Sequence, residues 1–134
     1  MGDQSAPTLN LARVRDEVTR CFHAYDSALL ANDIDGVGGW FFDGPEAVRF
    51  GLREELYGAP QIAAWRQAAP PLRRSPLRRY DVTSVGTDIA VVTAEFDEAA
   101  DTGRQTQAWI RSLTGWRVLS AHVSVRPGAG AWRA

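Results

Sequence analysis

The sequence contains no lysine, so all 15 of its basic residues are arginines. This absence excludes a lysine Schiff base and a lysine general base as the source of any activity. The single cysteine, Cys21, cannot form an internal disulfide, and the two histidines, His23 and His122, add few further metal ligands. We therefore expect no structural zinc.

Long apolar runs and excess positive charge are also lacking. No run approaches the roughly 18 apolar residues of a membrane span, and the first residues lack the basic and apolar regions of a signal peptide. The net charge is −1 and the isoelectric point is near 6.1, whereas nucleic acids and anionic membranes attract proteins with a basic excess. We expect a cytoplasmic protein with neither nucleic acid nor membrane as a partner.

The composition is that of one soluble globular domain. The chain has 134 residues, of which 45% are hydrophobic and 23% are charged. Residues 1–8 are polar with a proline, and residues 127–134 have no periodicity, so both ends are predicted to be flexible tails.

Helices are predicted in the first half of the chain. Between residues 11 and 32 the apolar positions recur at spacings of three and four, which is typical of an amphipathic helix. A short glycine-containing helix is expected at residues 34–40, and a third helix at 61–69, with Pro60 in its first turn. The stripe of the first helix consists of Val14, Val18, Cys21, Phe22, Tyr25 and Leu29.

Strands are predicted in the rest of the chain, joined by connections short enough for hairpins. They are placed at 47–51, around 56–57, and at 80–85, 89–96, 104–113 and 116–125. Helices followed by a long antiparallel meander indicate an α+β fold, with the amphipathic helix lying in the concavity of a curved sheet. The arginine-rich, proline-broken residues 73–79 are interpreted as a solvated loop. The alternative is that the four arginines of this loop draw anions to the mouth of a pocket or bind phosphates.

Arg49 is the candidate binding residue because it lies in a short apolar strand that follows an aromatic cluster and a Gly-Pro turn. Arginine seldom occurs among valine and phenylalanine unless an anion meets it. The alternative is an ordinary ion pair with Asp43, Glu46 or a carboxylate of a partner chain.

Tyr25 is the second candidate, since the apolar stripe turns its ring toward the sheet while its hydroxyl needs a partner or a wet cavity. A packed core tyrosine remains the alternative. His122 alternates with Trp116 and Val118 and is expected to share their face. Gln107 is expected on one face with Gln105 and Trp109. Each of these polar groups is either satisfied by neighbours or aimed at a ligand.

Other polar groups have simpler interpretations. Glu54 and Glu55 are adjacent carboxylates on a hairpin and are expected in water. Cys21 is interpreted as a small core residue. No Asp or Glu is clearly expected to point inward, and Glu95 is the only candidate on a strand.

Several segments together carry a resemblance to a known family. They are Tyr25, residues 29–33 (Leu-Leu-Ala-Asn-Asp), 41–51, 55–58 (Glu-Leu-Tyr-Gly), 103–109 and 115–124. They resemble the small cone-fold proteins of ureide and triazine catabolism in the SnoaL-like superfamily, which include the decarboxylating dicarboxyurea amidohydrolase and the oxalurate-catabolism proteins. The resemblance covers nearly all of residues 10–125. It implies the nuclear transport factor 2-like fold, usually dimeric through the sheet.

The resemblance also implies an activity. In the amidohydrolase, the tyrosine of the first helix and the arginine of a Val-Arg-Tyr-Gly motif carry the reaction, and they correspond here to Tyr25 and Arg49. Phe50 replaces the tyrosine of that motif, which removes a hydroxyl expected beside the site. The expected function is cofactor-independent C–N hydrolysis of a small anionic ureide carboxylate. Supporting positions are Trp40, Tyr57, Trp65, Gln107 and His122.

Two other functional classes remain open. The chain is alternatively a non-catalytic ligand-binding protein or a partner of an amidase in nitrogen catabolism. It is alternatively an isomerase or cyclase of the wider cone-fold group, which requires a carboxylate inside the cavity, with Glu95 as the candidate.

Overall fold

The computed structural model describes residues 6–72 and 74–128. Three helices, α1 (Ala12–Leu30), α2 (Ile34–Gly39) and α3 (Ala59–Ala68), accompany six strands. The strands are β1 (Val48–Phe50), β2 (Glu55–Tyr57), β3 (Leu77–Val85), β4 (Ile89–Glu98), β5 (Asp101–Ser112) and β6 (Gly115–Arg126). All predicted helices and strands are present, with small shifts at their ends.

The six strands form one sheet in the order β2-β1-β6-β5-β4-β3. Strands β3 to β6 are the predicted antiparallel meander. The β1–β2 hairpin joins the sheet through β1, which pairs with β6 in parallel. The result is a curved, unclosed sheet, and the α+β cone predicted from the sequence is confirmed.

Helix α1 lies against the concave face of the sheet, because this contact buries the apolar stripe of the helix against the apolar face of the sheet. Val14, Val18 and Phe22 are at most 1% exposed. They belong to one core cluster with inward side chains of the sheet, among which Trp109 and Val118 are fully buried. None of the helices in the described ranges combines the length and apolar character needed to cross a membrane.

The predicted loop at residues 73–79 is partly a strand, because β3 begins at Leu77 rather than at Tyr80. Leu77 pairs with Phe96 and Arg79 pairs with Glu95, so cross-strand hydrogen bonding extends the sheet through sequence that looks unfavourable locally. The β4–β5 connection is likewise tighter than the predicted one, since only Ala99 and Ala100 separate the two strands.

Most of the predicted tails, residues 1–5 and 129–134, lie outside the described residues. Hydrogen bonds hold both described ends. The Thr8 carbonyl accepts from the Gly86 amide at 2.9 Å, and the Gly128 amide donates to the side-chain Oδ1 of Asp101 at 2.9 Å.

A β-bulge in β6 changes which side chains of that strand face the core. Ala108 pairs with Ser120 while the next residue of β5, Trp109, pairs with Val118, so Leu119 is the extra residue. Beyond the bulge the buried residue is Ala121, at 2% exposure, and His122 is exposed. The predicted sharing of one face by His122, Trp116 and Val118 is therefore wrong.

Candidate functional site

Arg49 projects from the concave face of the sheet. It pairs with Leu56 of β2 and with Ala121 of β6, and directly paired residues of neighbouring strands point to the same face. Leu56 and Ala121 are 8% and 2% exposed. The central position of β1 therefore carries a guanidinium into an otherwise apolar face.

The guanidinium of Arg49 has an aromatic and an anionic neighbour. Its central carbon lies 4.7 Å from the centroid of the Trp65 ring, which places a cation on the α3 indole. Its Nη1 donates to Glu54 Oε1 at 2.5 Å. The Arg49 side chain is only 12% exposed. The ordinary ion pair that the sequence left open is thus present, but with Glu54 as the carboxylate.

Tyr25 reaches the same region from α1. The residue is 2% exposed, and its ring meets Phe41 and Trp109 edge-on, with centroids 6.3 and 6.2 Å away. These contacts fix the direction of the phenol. Tyr25 also lines the cavity described below.

Tyr25 and Arg49 line one cavity of about 400 Å³, a volume in the usual range for small-molecule sites. Apolar side chains from α1, the loop after α3 and the far ends of β4 and β6 form much of its wall. Charged groups and Gln105 complete it. The lining residues are Tyr25, Leu29, Arg49, Leu52, Arg53, Glu54, Trp65, Arg66, Leu72, Arg74, Phe96, Glu98, Gln105, Val123 and Val125.

Four arginines and two glutamates line this cavity, so its wall is electropositive. Arg66 lines the same cavity as Tyr25 and Arg49. Burial lowers the pKa of the Arg66 guanidinium, and the positive charge of Arg49 lowers this pKa further. The Tyr25 phenol and the Glu54 carboxylate act on it in the opposite direction. Two cations, a phenol and a carboxylate therefore share one environment in which an anion would be favoured.

Arg74 is another buried cation of the cavity wall, although the sequence predicted a solvated loop here. Its Nη2 donates to Asp26 Oδ1 at 2.6 Å, and its side chain is only 4% exposed. The guanidinium carbon lies 5.0 Å from the centroid of the Phe96 ring. The ion pair with α1 and the aromatic contact hold this part of the loop against the protein rather than in water.

Four of the predicted site residues lie away from the cavity. Trp40 packs against Trp109 at the end of α2, with centroids 6.0 Å apart. Tyr57 is 57% exposed on the edge strand. Gln107 shares the buried face of Gln105 and Trp109, as predicted, but its Oε1 accepts from Trp109 Nε1 at 3.0 Å. His122 lies on the outer face of the sheet, where its ring meets Phe50 at 5.6 Å.

Two further expectations concern residues that the structure places on that outer face. Phe50 alternates with Arg49 and pairs with His122, so the missing hydroxyl of the family motif does not border the cavity. Glu95 pairs with Arg79 and lies 3.9 Å from Arg78, with 43% of its side chain exposed. Glu95 therefore does not point into the cavity, and the isomerase interpretation loses its candidate carboxylate.

Sequence reasoning missed or underweighted Glu54, Arg66, Arg74 and Gln105. Gln105 was placed on the correct face of β5, and it is 5% exposed. Alternation predicts which face of a strand a residue lies on, but not how far along the strand the cavity lies. Nothing in the sequence therefore gave a reason to expect Gln105 rather than Gln107 in the cavity wall. No signal local to Arg74 indicated its contact with Asp26, since the two residues are 48 positions apart. Within the described ranges no group of three or more His, Cys, Asp or Glu side chains is arranged to hold a metal ion.

Known structures share this architecture. A protein of unknown function from Pectobacterium atrosepticum is 39% identical, with 87% of this chain and 94% of that one covered and a TM-score of 0.83. A cystatin-like fold protein from Burkholderia xenovorans is 37% identical, with coverage of 90% and 98% and a TM-score of 0.85. A nuclear transport factor 2-like protein of unknown function from Pseudomonas putida, at 18% identity, 91% and 93% coverage and a TM-score of 0.73, shares the fold alone.

The sequence itself identifies the family. No curated protein matches the chain significantly. A sequence model of the family described as AtzH-like matches residues 7–128, a range that includes every element of the sheet and all residues lining the cavity. With this match, and with the nuclear transport factor 2-like fold of its structural neighbours, the chain belongs to the AtzH-like family.

Proposed function

We propose that this protein is a cofactor-independent enzyme that cleaves the C–N bond of a small N-carboxy-amide, such as a ureide carboxylate. The observation that carries the proposal is the presence of Tyr25 and Arg49 on the wall of one electropositive cavity. The family membership and the resemblance of these two positions to the amidohydrolase motif support it.

Arg49 is the group that would bind the carboxylate of the substrate. A planar guanidinium matches a carboxylate through two parallel hydrogen bonds, and such charge-assisted bonds strengthen when water is excluded. The Trp65 ring lies against the Arg49 guanidinium and limits its hydration. Arg66 adds a second positive charge nearby. The cavity thus offers an anion more electrostatic stabilisation than bulk water does.

Tyr25 is the group that would move a proton. When an N-carboxy-amide loses carbon dioxide, the C–N bond breaks, its electron pair stays on nitrogen, and nitrogen takes up a proton. A phenol held near cations is placed to deliver or relay that proton, and the arginines stabilise the charge that develops. Phe41 and Trp109 keep the ring in one orientation while the reaction proceeds.

Turnover of allophanate (N-carboxyurea) tests the proposal, with release of carbon dioxide and urea measured above the spontaneous rate. We expect Tyr25→Phe to lower kcat by about 10²-fold or more, because a positioned proton donor contributes roughly that factor. Arg49→Ala should lower kcat/KM by at least about 10²-fold, since it removes charge stabilisation from the transition state.

Matched controls lie outside the cavity. Tyr57→Phe removes the hydroxyl of an exposed tyrosine, and Arg79→Ala removes an exposed arginine of β3. Both should leave turnover close to that of the unaltered protein. Equal rates for Tyr25→Phe and Tyr57→Phe would show that the phenol takes no part in the chemistry.

A non-catalytic ligand-binding protein is the second candidate, and the same cavity supports it. In that case no ureide carboxylate is consumed faster than in buffer, binding of an anionic ureide depends on Arg49, and Tyr25→Phe changes the affinity only slightly. Calorimetry on the same variants separates the two functions.

A further inference from the structure

Glu54 forms an ion pair with Arg49, the residue that the proposed function assigns to the carboxylate of the substrate. Its Oε1 accepts from Arg49 Nη1 at 2.5 Å, and its Oε2 accepts from the backbone N–H of Arg53 at 3.3 Å. Both carboxylate oxygens are therefore engaged, and Glu54 itself lines the cavity. A carboxylate of the protein already lies where a carboxylate of the ligand is expected.

The backbone between these two residues leaves room for the contact. Gly51 follows β1, and its amide donates to the Glu54 carbonyl at 3.0 Å across the hairpin connection. A methyl group added at Gly51 would overlap the Glu54 carboxylate and would lie 2.9 Å from Arg49 Nη1. The absence of a side chain at this position is what allows the Glu54 carboxylate to fold back onto the guanidinium.

The contact is also close to solvent. The Glu54 side chain is 20% exposed, and Leu52, two residues earlier in the hairpin connection, is 57% exposed. Both contacts are made by the side-chain carboxylate of Glu54, so rotation of that side chain into water leaves the hydrogen bonds of the sheet unchanged.

We propose that Glu54 is an internal ligand of Arg49 that the carboxylate of an incoming molecule must displace, and that it thereby makes the cavity selective for anions. A neutral amide forms weaker hydrogen bonds to a guanidinium than a carboxylate does, so it cannot replace Glu54. A second carboxylate can, because it restores the charge-assisted pair that Glu54 gives up. This inference rests on the proposed function only in taking Arg49 as the carboxylate-binding group.

The competition has a measurable direction. When the binding-competent state is only a fraction of the population, the apparent affinity falls by that fraction. Replacing Glu54 by a residue without charge should therefore tighten the binding of anions. If Glu54 instead held Arg49 in its productive orientation, the same replacement would weaken their binding. The two roles predict changes of opposite sign.

Isothermal titration calorimetry with unreactive probes tests the proposal. Oxamate and malonate serve as anions, and oxamide serves as the neutral counterpart of oxamate. We expect Glu54→Gln to bind both anions roughly 10-fold more tightly than the unaltered protein, because Arg49 is then no longer paired with Glu54 in most molecules. Oxamide should not bind the unaltered protein detectably, because it cannot displace Glu54, and it should bind Glu54→Gln more weakly than oxamate does. Glu55→Gln removes a neighbouring exposed carboxylate that does not line the cavity, so it should change none of these affinities.

Weaker or unchanged binding of oxamate to Glu54→Gln would overturn the proposal, as would a failure of both proteins to bind either anion. Glu54→Ala, with its fold checked by circular dichroism, should show the same tightening and covers the case in which the glutamine variant does not fold. Because these probes are not consumed, the result does not depend on turnover. The binding experiment can therefore succeed even if the proposed reaction is wrong.

Discussion

Arginine side chains in this protein repeatedly lie over aromatic rings. Arg49 and Arg66 both contact Trp65, at 4.7 and 5.0 Å from the ring centroid, and Arg74 contacts Phe96. A guanidinium can stack on a ring and still donate hydrogen bonds in its own plane, whereas an ammonium is a more strongly hydrated point charge. A chain without lysine is therefore well suited to carry several cations into one cavity wall.

The ion pair between Arg74 and Asp26 should be important for stability. The two side chains are only 4% and 12% exposed. Asp26→Asn leaves the Arg74 charge buried without its counter-charge, so we expect the free energy of unfolding to fall by about 3 kcal/mol. Urea denaturation followed by circular dichroism measures the change.

An exposed pair of the same type supplies the control. Arg79 Nε donates to Asp81 Oδ2 at 2.9 Å, but these side chains are 69% and 54% exposed. Asp81→Asn should lower the free energy of unfolding far less than Asp26→Asn does, because solvent screens the exposed pair. A loss of equal size in the two variants would contradict the assignment of a buried structural role to Asp26.

The loop between α3 and β3 is fixed by the end of α1. Asn32 donates to the Leu72 carbonyl at 3.2 Å and accepts from the Leu72 amide at 2.6 Å. Its backbone is in the left-handed region, with φ of 54°, which asparagine tolerates better than most residues. This two-point contact places the segment that carries Arg74 into the cavity wall.

Two substitutions at Asn32 separate the contribution of its side-chain hydrogen bonds from that of its left-handed backbone conformation. Asn32→Gly removes the hydrogen bonds but tolerates the positive φ, and it should cost about 1 kcal/mol. Asn32→Ala should cost about 1 kcal/mol more, because alanine disfavours the left-handed region. Urea denaturation gives both values, and faster amide exchange at Leu72 and Arg74 should accompany them. Equal stability of the glycine variant and the unaltered protein would rule out a role for the side-chain hydrogen bonds.

Periodicity in the sequence was sufficient to predict the elements. The three- and four-residue spacing of Val14, Val18 and Phe22 predicted α1, and alternation predicted the four long strands, because both patterns arise from local geometry. The bulge at Leu119 and the start of β3 at Leu77 were not predicted. Both depend on pairing with a neighbouring strand, which no local pattern records.

The candidate site was predictable only in part. Tyr25 and Arg49 stood out because each is a polar group within an apolar pattern. Glu54 did not, since its role arises from a hairpin that returns the carboxylate to Arg49. Trp65 lines the cavity as expected, whereas the depth of Gln107 and the face of His122 follow from strand register rather than from residue type.

For the molecule as a whole, the convex face of the sheet indicates a partner. Within the described residues no helix covers this face. It exposes Ile89 at 49% and Val91 at 38%, beside Ala108 and Thr106 of β5. Apolar surface on an open sheet is a frequent homodimer interface. We therefore predict a homodimer formed through the sheet.

Light scattering coupled to size-exclusion chromatography measures this assembly. The unaltered protein should elute with the mass of two chains. Val91→Glu should give the mass of one chain, because it places a charge within the apolar face. Leu113→Glu alters a fully exposed leucine in the β5–β6 turn and should remain dimeric. A monomeric unaltered protein, or a dimeric Val91→Glu variant, would contradict the prediction.

The parallel pairing of β1 with β6 has a consequence for biosynthesis. Arg49 pairs with Ala121, so the strand that carries the guanidinium obtains its long-range neighbour only after residues 115–126 have left the ribosome. Because the chain emerges with its N-terminus first, α1 can form early. Strand β1, which carries Arg49, cannot pair with β6 until β6 has been translated. Nascent chains arrested before β6 should therefore lack the cavity, however much helix they have already formed.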